Sequence, residues 1–343
     1  MSPRPRITYG PWGQTLAELV AASRAAEDAG AEVVWLPELH RSATIPAAVI
    51  AGATSHVKVG TAIALAFARS PMTTALEALD IDEASEGRFI LGLGSGVKRL
   101  NEDWHNVQWG KPVAHIRETV AAIRHFVANA GTGHPMILEG EHEPMRIQGY
   151  ERPFAQARQE IPVYLAGMGP AMTKLAGRIG TGWISHELCS PDWLRERALP
   201  ALNEGLQAAE RRREDLDVVV SASCSIDADG ALARRRAAGV AGFYASVRTY
   251  ADFFEFHGLG KDQERVIEAF RSGTGAEHLA DVVSTPIIDA LTLAGTASEV
   301  GARIEGYAGL ADSVKITPPT HLPPEETRRA QDRIIEFIRE WHA

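Results

Sequence analysis

The hydrophobic and polar positions of this chain repeat in one order: an amphipathic helix, a turn that contains glycine, and a short apolar strand. In residues 15–30 the positions Leu16, Leu19 and Val20 have helical spacing, and Gly30 marks the predicted end of the helix. The apolar strand AEVVWL follows directly. Because the same order recurs along the chain, it predicts repeated β/α units.

Eight strands can be identified from this pattern, and most of them are followed by a helix. They are RITYG, AEVVWL, HVKVGTAIAL, RFILGLG, IPVYLAG, TGWISH, LDVVVSASCSI and ADSVKITPP. Continuous apolar strands such as VVWL suit a sheet that is buried on both faces. We predict a closed (β/α)8 barrel, with a doubly wound open sheet as the second choice.

Two segments break the repeat. Residues 134–153 alternate and turn in the manner of a β-hairpin, and residues 239–295 form a long insertion that we expect to be mostly helical. The insertion is rich in aromatic residues, namely Phe243, Tyr244, Phe253, Phe254 and Phe256. In a barrel enzyme such an insertion usually follows a strand and shapes the pocket. A packing or dimer element is the alternative.

Composition and charge narrow the class of protein. The chain has 343 residues and a formal net charge of −9, which argues against nucleic acid or an anionic membrane as the main partner. Cys189 and Cys224 form no disulfide framework, the N-terminus has no apolar signal segment, and the apolar run 62–68 is too short to span a bilayer. We therefore expect a cytoplasmic globular protein.

Several chemically active residues follow the predicted strands, where the function of an α/β barrel collects. Glu38 and His40 follow the second strand, and His186 follows the sixth. Histidine titrates near neutrality, so His40 suits a proton donor or acceptor, with Glu38 tuning it or making a direct contact. The alternatives are a structural hydrogen bond for His40 and a cap for Glu38. His186 is a second candidate pocket residue.

Two glycine-rich turns also follow strands. GLGSG, at 92–96, lacks the G-x-G-x-x-G spacing of a dinucleotide site, and the polar stretch after it does not predict an immediate buried helix. AGMGPAMTKLAG, at 166–177, places glycines before a helix with Pro170 near its first turn, where free N–H groups favour an anion. An ordinary strand-to-helix turn is the alternative for the second stretch.

A metal site on the hairpin is a further possibility, because the hairpin carries five potential ligands. They are His134, Glu139, Glu141, His142 and Glu143. Their spacing matches no zinc motif, and alternate residues of a hairpin face opposite sides. We expect a solvated polar hairpin and no metal.

Three stretches of the chain are similar to a known family. VVWLPELH, residues 57–102 and PVYLAGMGPAMTKLAGRIGTGWI resemble the bacterial luciferase-like superfamily, and more closely its coenzyme F420-dependent oxidoreductases. The similarity covers most of residues 5–190 and returns near ADSVKITPP. It implies a single luciferase-like TIM-barrel domain over residues 1–343, with the cofactor at the carboxyl ends of the strands, and a homodimer.

The resemblance also implies site residues. It implies a non-proline cis peptide bond at Ala62–Ile63 that supports the ring of the cofactor. The cofactor-binding loop after the fourth strand corresponds to Gly94, Ser95, Gly96, Val97 and Lys98. The phosphate-binding turn corresponds to Gly167, Met168 and Gly169. Some sugar-phosphate-oxidising members have a catalytic glutamate about where this chain has Val97, which puts that reaction in doubt. Several members have an Asp-His pair where this chain has Glu38-Leu39-His40, aligned with it or shifted by one.

The expectation from residues and resemblance together is an enzyme that transfers hydride between coenzyme F420 and a small organic substrate. Lys98 and Arg99 would bind the acidic tail of the cofactor, and a solvated pair of loop charges is the alternative. The alternative on the same barrel is an FMN-dependent monooxygenase that uses oxygen and a separate flavin reductase. A cofactor-binding protein without turnover and a metal-dependent hydrolase are the remaining classes.

Overall fold

The structure is a computed structural model that describes residues 4–342. The chain has the predicted (β/α)8 barrel fold, in which parallel strands alternate with helices and the sheet closes on itself. The strands, in chain order, are β1 (Arg6–Tyr9), β2 (Val33–Leu36), β3 (Lys58–Thr61), β4 (Ala64–Leu65), β5 (Phe89–Gly94), β6 (Met136–Leu138), β7 (Met145–Ile147), β8 (Val163–Ala166), β9 (Gly182–Ile184), β10 (Asp217–Ile226), β11 (Thr292–Gly295) and β12 (Ser313–Thr317).

Helices separate most of these strands. The α-helices are α1 (Leu16–Asp28), α2 (Thr44–Ala51), α3 (Pro71–Ala84), α4 (Pro112–Asn129), α5 (Pro170–Ile179), α6 (Pro191–Trp193), α7 (Leu199–Ala208), α8 (Gly230–Ala245), α9 (Ala251–Phe256), α10 (Gly260–Arg271), α11 (Thr285–Leu291), α12 (Ala297–Glu305) and α13 (Pro324–His342). Short π- or 3₁₀-helical turns cover Leu100–Trp104, Leu194–Ala198, Arg213–Asp215, Arg248–Tyr250 and Ala276–Asp281. Of the described helices, none has both the length and the hydropathy that crossing a bilayer requires.

Helix starts follow from local sequence. The hydroxyl of Thr15 accepts a hydrogen bond from the N–H of Glu18 and caps α1, and Ser70 caps α3 in the same way through the N–H of Thr73. Pro71 occupies the first turn of α3, where its missing N–H costs nothing. These side chains determine where each helix begins.

The chain divides into two compact units. The second unit comprises Val33–Ile184 and Pro200–Asp217. In it β2, β3, β5, β8 and β9 pair in parallel in that order, and β4 also pairs with β5. The antiparallel pair of β6 and β7 confirms the predicted hairpin.

The first unit comprises the chain up to Glu32, Ser185–Leu199 and the chain from Val218 on. Its strand β12 pairs in parallel with β1 on one side and with β10 on the other, and β11 pairs with the last residues of β10. Residues 292–295 of the predicted insertion are thus a strand. The sequence did not reveal it because TLAG is short and follows α11 without a turn residue.

The stretch after GLGSG also differs from expectation. A π-helical turn, Leu100–Trp104, begins almost at once, although among its residues only Asn101 is buried. The side-chain amide of Asn101 donates to the carbonyl oxygens of Ser95 (2.8 Å) and Val97 (2.9 Å). One buried amide therefore organises a turn whose other residues are too polar to predict it.

Candidate active site

The third barrel strand is interrupted between β3 and β4 by a backbone bulge at Ala62 and Ile63. The Ala62–Ile63 peptide bond is cis, as the resemblance implies. Backbone hydrogen bonds hold the bulge: the N–H of Ala62 donates to the oxygen of Leu36 (2.8 Å), and the N–H of Glu38 donates to the oxygen of Ile63 (3.1 Å). The bulge is therefore tied to the end of β2.

Two glycines of GLGSG are explained by this bulge. A Cβ atom on Gly92 would lie 1.9 Å from the carbonyl oxygen of Thr61, and one on Gly94 would lie 2.9 Å from Cγ1 of Ile63. The Thr61 hydroxyl donates to the oxygen of Gly92 (2.7 Å) and accepts from its N–H (2.9 Å). Glycine is needed at both positions because the bulge comes this close to β5.

Glu38 lies beside the bulge and is fully engaged. Its carboxylate accepts hydrogen bonds from the N–H of Leu65 (2.7 Å) and from the Arg69 guanidinium, with one Arg69 contact at 3.0 Å and a second, shorter one. The two side chains are 9% and 16% exposed. Burial by itself raises the pKa of Glu38, but the bonds from Arg69 and Leu65 outweigh it, so the pKa is lowered. The carboxylate is ionised at neutral pH.

Glu38 and His40, which the sequence analysis considered as a pair, make no direct polar contact in the described chain. His40 is exposed, and within residues 4–342 no hydrogen bond or ion pair joins it to Glu38. The chain turns at Leu39, whose N–H donates to the oxygen of Arg41. The Glu38 carboxylate is instead bonded to the N–H of Leu65 and to the guanidinium of Arg69, a partner that the sequence alone did not identify.

The loop after β5 places its charges at the surface. Val97 is 57% exposed. The side chains of Lys98 and Arg99 are 64% and 86% exposed, and each lies near an acid four residues on, at 3.8 Å and 3.3 Å. Such exposed pairs contribute about 0–1 kcal/mol, so an anionic ligand can displace them at little cost.

The predicted phosphate-binding turn begins α5. Gly169 is the residue before the helix and is exposed, and Pro170 occupies the first turn. The carbonyl of Gly167 points the other way and accepts a hydrogen bond from the Trp183 indole N–H (3.0 Å). The N-terminal N–H groups of a ten-residue helix thus follow β8, which suits an anion.

His186, in the first unit, is surrounded by aromatic rings. Its ring centroid lies 4.9 Å from that of Tyr244 and 4.8 Å from that of Tyr250, and Nδ1 accepts from the N–H of Leu188 (3.2 Å). Burial lowers the pKa of His186 to about 4. The Tyr244 hydroxyl donates to Glu187 (3.0 Å). His186 is therefore neutral at neutral pH, with the proton of the ring on Nε2.

The five aromatic residues of the predicted insertion divide into two sets. Tyr244 contacts His186, and Phe243 stacks on His321 with centroids 5.2 Å apart. Phe253 and Phe254 are fully buried in the core, and Phe256 packs edge-on against Trp193. The first set therefore lies beside His186 and His321, whereas the second set packs around Trp193 and His257.

The polar hairpin is less solvated than expected. His142 and Glu143 are half-buried, and Glu143 contacts His115 at 2.7 Å. The ring of His115 stacks on Phe67 with centroids 3.9 Å apart. Glu118 accepts the N–H groups of both hairpin residues. In the part of the chain that the structure describes, no three His, Cys, Asp or Glu residues are grouped so that they could hold a metal ion.

Lys315 is a residue that sequence reasoning did not single out. It lies in the middle of β12 and is 7% exposed. The available signal was a single charged residue inside a short strand, SVKIT, which is unusual because buried lysine is rare.

Within the second unit, the bulge with its glycines and the N-terminus of α5 are the features that a ring and a phosphate could contact. The model of the luciferase-like monooxygenase family matches residues 2–313, and the chain belongs to this family. A putative coenzyme F420-dependent oxidoreductase of Mycobacterium tuberculosis is 31% identical over 320 residues, covering 86% of this chain and 88% of the relative.

Two further similarities concern reductases. A 5,10-methylenetetrahydromethanopterin reductase of Methanolobus tindarius is 28% identical over 286 residues, covering 82% of this chain and 84% of the relative. The solved structure of the coenzyme F420-dependent tetrahydromethanopterin reductase of Methanopyrus kandleri matches with a TM-score of 0.83 at 24% identity, over 99% of this chain and 98% of that one. This structural match shows the fold.

Proposed function

We propose that this protein is an F420-dependent oxidoreductase that transfers a hydride between coenzyme F420 and a small organic substrate. The relatives named for F420 support the cofactor. The observation in this chain that carries the proposal is the bulge at Ala62 and Ile63, for which Gly92 and Gly94 leave room. Because the two glycines let the bulge pack closely against β5, its backbone is held in place. A backbone surface of this kind can support the planar ring of a flavin-type cofactor.

Several residues of the second unit would bind the cofactor in this proposal. Ala62 and Ile63 support the ring, and the N-terminus of α5 binds the phosphate. The loop residues that would contact the cofactor are Gly94, Ser95, Gly96, Val97 and Lys98, and those of the phosphate turn are Gly167, Met168 and Gly169. Lys98 and Arg99 bind the acidic tail, since their present partners hold them weakly. Coenzyme F420, when bound, supplies a deazaflavin ring that gives or takes the hydride.

The chain's own residues would hold the backbone of the site in place and transfer the proton that accompanies the hydride. Glu38 and Arg69 fix the backbone at Leu65 next to the bulge. His40 is exposed and would give or take the proton that accompanies the hydride. His186 is neutral and would act as a hydrogen-bonding pocket residue. The proposal does not include oxidation of a sugar phosphate, because this chain has Val97 about where some sugar-phosphate-oxidising members have a catalytic glutamate.

Cofactor titration tests the proposal. The purified protein is titrated with coenzyme F420 and separately with FMN, with cofactor fluorescence as the signal. We expect tight F420 binding, weak FMN binding, and a loss of about tenfold or more in F420 affinity for Gly94→Ala, because its Cβ would push Ile63 aside. Gly52→Ala is the control, since the nearest atom to its Cβ is 3.8 Å away. Preference for FMN, or equal affinity in both variants, would contradict the proposal.

The role of His40 has its own test. His40→Ala should lower turnover by about 10²–10⁴-fold with a substrate found by hydride-transfer screening, and should leave the F420 affinity unchanged. Unchanged turnover would remove the assignment. Dimer formation stays a prediction, which light scattering of the purified protein checks.

An FMN-dependent monooxygenase is the second candidate, favoured by the description of the matching family. It would use oxygen and a separate flavin reductase. FMN binding together with substrate-dependent oxygen uptake in the presence of a reductase would establish it, and would replace F420 in the scheme.

A further inference from the structure

Three strands of the first unit carry polar side chains on one face. In register, Lys315 of β12 lies between Thr8 of β1 and Ser221 of β10, and Thr317 lies beside Ser223. We call these five residues the Lys315 stripe. Parallel neighbours in register project to the same face, so the five side chains form one continuous surface.

The other face of these strands is apolar and meets a helix. Ile7, Val314 and Ile316 are fully buried, and the Tyr9 hydroxyl donates to Gln331 of α13 (2.7 Å). Side chains alternate along a strand, so the Lys315 stripe faces away from α13. It therefore lies on the interior side of the sheet.

The Lys315 stripe lacks protein partners. The hydroxyl oxygens of Thr8, Ser221, Ser223 and Thr317 are buried, and among the described residues none of them has a hydrogen bond. Over the same residues, Lys315 forms neither a hydrogen bond nor an ion pair within 4 Å. Buried polar groups are normally paired because leaving one unpaired costs free energy. Four unpaired hydroxyls beside an unpaired ammonium group indicate a ligand that forms hydrogen bonds with them.

The surroundings define the charge of that ligand. Lys315 is the only cationic side chain in the stripe. Burial lowers the pKa of Lys315, and the nearby carboxylate of Glu187 opposes that shift. Glu187 already accepts the Tyr244 hydroxyl, and His186 is neutral. Glu187 forms no ion pair with Lys315 within 4 Å in the described chain, but its charge adds to the negative charge nearby, so a singly charged carboxylate fits opposite Lys315 better than a phosphate dianion.

The backbone of Gly10 packs against one end of the stripe. Gly10 follows β1, and a Cβ there would lie 2.7 Å from Oγ1 of Thr317 and 3.4 Å from Cε of Lys315. Any side chain at position 10 would therefore push against Thr317 and Lys315, and glycine leaves both side chains in place.

We propose that the Lys315 stripe binds the carboxylate group of a small acidic molecule, with the ammonium of Lys315 opposite its charge and the hydroxyls donating to its oxygens. That this molecule is the substrate rests on the proposed function. The substrate class is then a small organic acid.

Calorimetry of the full-length protein tests the stripe with defined probes. Acetate, pyruvate and benzoate are titrated, each beside its neutral amide. We expect at least one acid to bind where its amide does not, and Lys315→Met to weaken that acid about a hundredfold. Lys261→Met, which removes an exposed lysine of α10 in the same unit, should change nothing. If no acid binds more tightly than its amide, or if the Lys315→Met protein binds as well, the proposal is wrong.

Stability separates a binding role from a structural one. Without ligand, Lys315→Met should raise the melting temperature by about 2–6 °C, because an unpaired buried amine is removed and its length is kept. A lower melting temperature would mean that Lys315 holds the fold together, and would overturn the proposal. Titration with F420 on the same samples distinguishes the two proposals. If Lys315→Met loses acid binding and neither protein binds F420, the proposal for the stripe stands and the cofactor assignment is wrong.

Discussion

Glu38 in the second unit and Lys315 in the first are both charged side chains buried at a barrel strand, yet their surroundings are opposite. The carboxylate of Glu38 is paired with Arg69 and with the N–H of Leu65. Lys315 has no partner of this kind in the described chain and lies among unpaired hydroxyls. A buried charge that the protein pairs organises the backbone around it, whereas one that the protein leaves unpaired is best explained by a ligand.

The largest effect is expected at Glu38. Glu38→Ala should lower the free energy of unfolding by about 3–5 kcal/mol, because the largely buried guanidinium of Arg69 loses its main partner and keeps only the 3.3 Å contact with Glu77. Since the pKa of Glu38 is lowered, this contribution is present above about pH 4.5 and is lost as pH falls through the folded-state pKa. Urea unfolding at pH 7 and in acid measures it.

The matched control for Glu38 is an exposed ion pair of the same unit. Glu204 contacts Lys174 at 3.1 Å with both side chains at least half exposed. Glu204→Ala should cost at most about 1 kcal/mol. If the two substitutions cost the same, the pairing of Glu38 would not be what distinguishes it from a surface acid.

A smaller effect of the opposite sign is expected at Lys315. The pKa of Lys315 is lowered from 10.5, so between the folded-state pKa and 10.5 the unfolded chain binds more protons and stability rises with pH. Lys315→Met should therefore be more stable than the parent by about 1–3 kcal/mol near neutral pH, with the gain shrinking towards pH 10. His186, with its pKa of about 4, does not titrate in this range. Urea unfolding of both proteins at several pH values checks this prediction. A gain in the free energy of unfolding that does not change with pH would contradict it.

The smallest effect on stability is expected in the loop after β5. Lys98→Gln should change the free energy of unfolding by less than about 0.5 kcal/mol, since its pair with Glu102 is exposed and 3.8 Å long. It should reduce the salt dependence of F420 binding, because one screened contact to the acidic tail is lost. Lys111→Gln, another exposed lysine of the same unit, is the control. Equal salt dependence in both variants would exclude Lys98 from the cofactor site.

Much of the fold could be predicted because its signals are local. Helix spacing, turns that contain glycine and continuous apolar strands located eight barrel strands and most of their helices. Strand β11 was missed because it is only four residues long and follows α11 with no turn residue between them. The π-helical turn after β5 was missed because it depends on one buried amide, that of Asn101.

The sequence by itself determined the order of elements, the glycines at 92 and 94, and the positions of Glu38, His40 and His186 at strand ends. Tertiary structure alone decided their partners. In the folded chain Glu38 is paired with Arg69, and His40 is exposed. Burial lowers the pKa of His186, and strand pairing aligns Lys315 with Thr8 and Ser221. Helix and strand patterns are set by neighbours along the chain, but ion pairs, burial and strand register join residues that are far apart in it.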